Sequence, residues 1–174
     1  GKDRRRTYDF GDFLKTWSRA NRWAMVVVAP GTVPPSVTEP DYLAAAGALE
    51  RRKNHPAALR AFEAASRRWP DSYLAWAGSG NAAFSLGRFS VAEDAYRQAL
   101  RIRPDSASIM NNLALAQAER GCKHTALSIM ECALQRAPDD ANLAATYSEI
   151  RALPEVRESC QQFVCEPVAA TAGD

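Results

Sequence analysis

The chain has 174 residues, 47% of them hydrophobic, enough to bury a sizeable core in one elongated domain or one repeat array. Its 22 basic and 20 acidic residues leave a net charge of +2, too small for a general nucleic-acid or membrane-surface binder. No apolar run is long enough for a spanning helix and no signal peptide is recognisable, so direct membrane insertion is not expected.

The chain opens on a basic run, Lys2, Arg4, Arg5 and Arg6, read as a solvated tail with a phosphate or lipid contact as the alternative. Starting there without Met suggests a processed product or a fragment of something longer. Residues 9–20 predict a helix with Phe10, Phe13, Leu14 and Trp17 on one side, and 23–28 (Trp-Ala-Met-Val-Val-Val) predict a continuous apolar strand. Such a strand leaves backbone groups unpaired and must join a sheet, yet nothing else in the chain reads as a strand. Packing on the open end of the helical region beyond residue 39, or pairing with a second copy to give a homodimer through 23–28, would resolve this. Pro30, Gly31, Pro34 and Pro35 form a linker, so the N-terminal piece is 1–36.

A repeat occupies the middle of the chain. Pro-Asp pairs stand at Pro70-Asp71, Pro104-Asp105 and Pro138-Asp139, at intervals of 34 residues, and define units at 39–72, 73–106 and 107–140. In phase with them run small residues (Ala58, Ala92, Ala126; Ala65, Ala99, Ala133; Ala46, Gly80, Ala114) and bulky ones (Phe62, Tyr96, Met130; Tyr42, Trp76, Met110). Antiparallel helices approach closely only where one offers Ala or Gly and the other fills the gap. Gly87 and Gly121 are placed to end the first helices of units two and three; Lys53 replaces that glycine in unit one, and the adjacent Asn54 is expected to take the left-handed conformation with a shifted turn. These residues resemble the tetratricopeptide repeat. The resemblance implies an all-α solenoid of three helix-turn-helix units, here preceded by a short helix and one β-strand. The last unit needs a cap, which 142–153 supplies with Leu143, Tyr147 and Ile150 at helical spacing before Pro154; a further short helix is expected around 155–163, within a C-terminal region of 141–167.

The resemblance also implies that the first helix of each unit lines a concave groove that holds a protein or peptide. By the family's pattern the groove residues are Leu43, Gly47, Glu50 and Arg51; Leu74, Ala77, Asn81, Phe84 and Ser85; Ser108, Asn111, Leu115, Ala118 and Glu119; with Asn142, Ala145 and Glu149 on the cap. Asparagines can bond a peptide backbone, or merely bridge helices within the array; Phe84 is either groove or core. A clamp for chaperone C-terminal carboxylates is disfavoured. It needs basic and amide side chains where Leu43, Gly47, Asn111 and Leu115 stand.

The four cysteines, Cys122, Cys132, Cys160 and Cys165, match neither a zinc-site nor a CxxC spacing. They permit one or two disulfides in an oxidising compartment, or are small buried apolar residues; Cys122 with His124 is at most half a metal site. No cofactor is expected. The N-terminal FLKTW and WAMVVVAPG resemble the end of a papain-like cysteine peptidase domain of the bacteriocin-processing type, which implies a tetratricopeptide region fused behind a bacterial peptidase. That family's catalytic Cys, His and Asp lie upstream of this helix and none is matched, and both His55 and His124 fall in inter-helix turns, so the chain itself is not expected to be an enzyme. Self-association through the strand is a further reading. The compartment stays open, with a bacterial periplasm or membrane-associated position expected over the cytoplasm.

Overall fold

A computed structural model describes residues 29–154 and 160–165. Among the described residues seven helices succeed one another: α1 (Glu39–Arg51), α2 (His55–Arg68), α3 (Tyr73–Ser85), α4 (Phe89–Ile102), α5 (Ala107–Glu119), α6 (Lys123–Arg136) and α7 (Ala141–Ala152). The predicted helix at 9–20 and strand at 23–28 lie outside the described residues. Of the short helix expected around 155–163, residues 155–159 also lie outside them, and 160–165 carry no helix.

The helices begin where they do because a side chain caps each odd-numbered one. Thr38 accepts from the Asp41 N–H, Ser72 from Ala75, Ser106 from Ile109, and Asp140 from Asn142 and Leu143. The four caps recur every 34 residues and satisfy N–H groups that have no partner inside the helix. Between the helices of each unit the chain turns through one residue of positive φ: Lys53 at 58°, Gly87 at 69° and Gly121 at 83°. The turn in unit one is therefore not shifted onto Asn54. Lys53 itself takes the left-handed conformation, while Asn54, at φ −86°, caps α2 through its side chain. The hydrogen-bonding scheme decides this: the N–H of the following residue returns to the fifth carbonyl back at Asn54, Arg88 and Cys122 alike, and that closure fixes which residue turns.

The repeated alanines make the packing. Ala58, Ala65, Ala92, Ala99, Ala126 and Ala133 are completely buried, with Phe62, Tyr96 and Met130 buried beside them. A Cβ at Gly78 would fall on the Phe62 ring and one at Gly80 on the Tyr96 ring, so only glycine lets these helices approach. Trp76 is half-buried, its indole N–H donating to the Pro70 carbonyl. Each helix packs on the next in sequence, and the odd-numbered helices also touch one another along the array, whereas α2, α4 and α6 have no Cα atoms within 8 Å of each other. Crowded on one side and spread on the other, the array curves with α1, α3, α5 and α7 on its inner face.

Two disulfides, Cys122–Cys160 and Cys132–Cys165, with Cα separations of 5.9 and 5.7 Å, bind the segment 160–165 to α6. Ten helical residues rise ~15 Å and five extended residues span ~16 Å. The matched lengths lay the segment alongside α6, running the same way.

Candidate functional site

The inner face holds two hollows that meet at Asn81. The first, about 500 Å³ between α1 and α3, is floored by Leu43, Ala77 and Gly78 and rimmed by Glu39, Glu50 and Leu74; Leu74 is 59% exposed. The second, about 290 Å³ between α3 and α5, is lined by Asn81, Phe84, Ser85, Tyr96, Asn112 and Leu115. Phe84 is half-buried and meets Phe89 edge to face at 5.3 Å. No lysine or arginine lines either hollow.

Asn81 is held in place. Its Oδ1 accepts from the Tyr96 hydroxyl at 3.0 Å and from the Asn112 amide at 3.2 Å, tying α3 to α4 and α5. That commits the acceptor and directs the remaining amide donors, Nδ2 of Asn81, away from these partners. Burial raises the Tyr96 pKa and the Glu50 carboxylate adds to it, so the hydroxyl stays a donor through the physiological range.

Of the residues the repeat pattern nominates, Leu43, Glu50, Leu74, Ala77, Asn81, Phe84, Ser85 and Leu115 come together in these hollows. Asn111 does not: it sits half-buried and donates to Asn112 at 3.4 Å. Asn112 stands in its place, a residue that the repeat pattern does not nominate. Its signal in the sequence is the stripe Ser108, Asn112, Leu115, whose steps of four and three keep one helix face. Glu119 is exposed at the end of α5, and Asn142, Ala145 and Glu149 are exposed on α7, none of them reaching either hollow. No group of three or more His, Cys, Asp or Glu among the described residues could hold a metal ion.

The tetratricopeptide repeat family model matches residues 42–107 and again 79–141. The chain belongs to the tetratricopeptide repeat family. No curated protein matches it by sequence. Among solved structures, the array is similar to the first tetratricopeptide domain of Spaghetti (RPAP3) bound to the HSP90 peptide SRMEEVD, at 14% identity and TM-score 0.62 over 65% of this chain and 90% of that one. It is also similar to the second such domain of human RPAP3 in complex with the HSP70 peptide SGPTIEEVD (16%, 0.61, 66% and 93%). The Sgt2 tetratricopeptide domain from Aspergillus fumigatus is a third (14%, 0.61, 84% and 100%). At these identities the likeness is one of fold. The peptidase resemblance of the N-terminal piece finds no support here: the family model that matches is the tetratricopeptide repeat.

Proposed function

We propose that this tetratricopeptide array is a protein-interaction scaffold that takes a peptide or protein segment along its inner face, with no chemistry of its own. The observation that carries this is the pair of joined hollows in which Leu43, Leu74, Phe84 and Leu115 supply apolar contact and Asn81 and Asn112 supply amides that can bond an extended backbone. Two of the similar structures hold acidic chaperone peptides. This groove differs in charge: Glu39 and Glu50 rim the first hollow and no lysine or arginine lines either one, which favours a neutral or basic apolar segment over a carboxylate-rich tail. Two disulfides support a location outside the reducing cytoplasm.

Site-specific photo-crosslinking in the source cell tests the reading. A crosslinker replacing Leu74 or Leu115 is expected to give a discrete protein adduct that Phe84→Ala weakens, with none from Arg67 on the outer face. Equal adducts from Arg67, or none from the groove, would overturn it. In the same spirit, the peptide SRMEEVD is expected to bind this array no better than a scrambled control.

A further inference from the structure

A larger cavity lies on the opposite side from the groove. It measures about 880 Å³ and opens where α4 and α6 stand apart, with Leu100 and Met110 at its floor and the disulfide-bound segment 160–165 as one wall. Phe163 and Val164 extend the apolar lining from that wall; Val164 is 81% exposed. Cationic side chains dominate the rest: Arg97, Arg101 and Arg136 against Asp94. Arg97 is turned towards Glu93, and Arg136 donates to the Cys132 carbonyl and to the sulfurs of Cys132 and Cys165, so each is fixed at the wall of the cavity. Arg101 is exposed and pairs with no described residue.

The wall has a second property. Residues 161–164 carry no helix, the span between the two bridges stretches them along α6, and their backbone N–H and C=O groups bond to no described residue. An extended segment whose main-chain groups meet no described neighbour is a template for another extended chain, which gains backbone hydrogen bonds and seats alternate side chains to one side. A lipid or other small anion has no use for such a row. The Arg101 guanidinium beside an apolar floor then selects what those side chains are: a carboxylate to meet Arg101, and a bulky apolar residue to cover Leu100 and Met110.

We propose that this outer-face cavity is a second docking site, which takes an extended acidic peptide segment carrying one bulky apolar anchor, paired along 161–164, and that it exists only while the Cys132–Cys165 bridge holds the wall in place. It is separate from the inner groove and opposite to it in charge preference.

A random dodecapeptide library panned on the oxidised full chain tests this, followed by calorimetry of the enriched peptide. Enrichment of sequences with Asp or Glu flanking a bulky apolar residue is expected, with binding weakened at least tenfold by Arg101→Glu and abolished by Cys132→Ser with Cys165→Ser, while Phe84→Ala in the groove leaves it unchanged. Arg101 is exposed, so its variant keeps the fold even where the cysteine pair does not. No acidic enrichment, or binding indifferent to Arg101→Glu, overturns the proposal. Binding sensitive to Phe84→Ala alone would assign the peptide to the groove and overturn it equally.

Discussion

Lys53 holds a backbone conformation that the next two repeats give to glycine, with φ at 58° and its N–H bonded to the Glu50 carbonyl at 2.7 Å. A side chain there strains the backbone by ~1–2 kcal/mol, so Lys53→Gly is expected to stabilise the chain by ~0.5–1 kcal/mol after the greater freedom of the unfolded glycine is subtracted. Denaturant unfolding checks it; a loss of stability would mean that the turn is held by the lysine side chain. At Tyr96 the folded pKa lies above its ordinary value, because burial, and then Glu50, disfavour the phenolate. The folded state thus binds this proton more tightly than the unfolded one, so the contribution to stability is complete below the unfolded pKa of ~10 and is lost as pH rises beyond that. Stability measured from pH 8 to 11 should therefore fall above pH 10, and Tyr96→Phe, already less stable for want of the bond to Asn81, should flatten that fall. Single residues are also where a repeat pattern is coarse, at Asn111 and Asn112. Both are asparagines on one helix: Asn111 is the repeat equivalent of Ala77 and Asn112 of Gly78, and between α3 and α5 it is Asn112 that lines the hollow.

Glu93 on α4 is 4% exposed and accepts from Gln117 at 2.6 Å, from Arg97 at 3.0 Å and from Arg120, joining α4 to α5 at the second-to-third repeat boundary. Removing a buried carboxylate from such partners strands their donors. Glu93→Ala is expected to lower stability by ~3 kcal/mol or more, as denaturant unfolding would show; a change below ~1 kcal/mol would make the cluster incidental. The C-terminal elements answer to the disulfides. Cys122–Cys160 spans 38 residues and encloses α6 and α7, and a loop of that length is worth ~4 kcal/mol in unfolded-chain entropy. Reduction is expected to lower the melting temperature by roughly 10 °C while far-ultraviolet ellipticity at 25 °C stays, since 160–165 contribute no helix. An unchanged melting temperature would rule this out. The helices were legible in the sequence because their determinants are local: a Pro-Asp pair every 34 residues, a turn residue, alanines in phase. Cysteine pairing was not, since four cysteines admit several pairings and the choice rests on where the tail lies in space. A short helix is expected around 155–163, but at 160–163 the bridges to Cys122, just before α6, and to Cys132, ten residues along it, require a stretched path.

The two faces of the molecule differ in chemistry. The inner hollows are apolar with amides and carboxylates and no lysine or arginine; the outer cavity is apolar with three arginines and one aspartate. Repeat architecture explains the division, because each unit contributes one helix to each face and the two sequences vary independently once the alanines between them are fixed. Eight of the seventeen residues nominated from the repeat line the inner hollows, while the outer cavity has no nominee, since one of its walls comes from outside the repeats. A partner segment lying along the inner face should leave its mark on the backbone there. Hydrogen exchange of the full chain, measured with the crosslinked partner segment supplied as a synthetic peptide, reads that mark directly. Slowed exchange confined to α1, α3 and α5 is the expected result; protection confined to α2, α4 and α6, or none at saturating peptide, would refute inner-face binding.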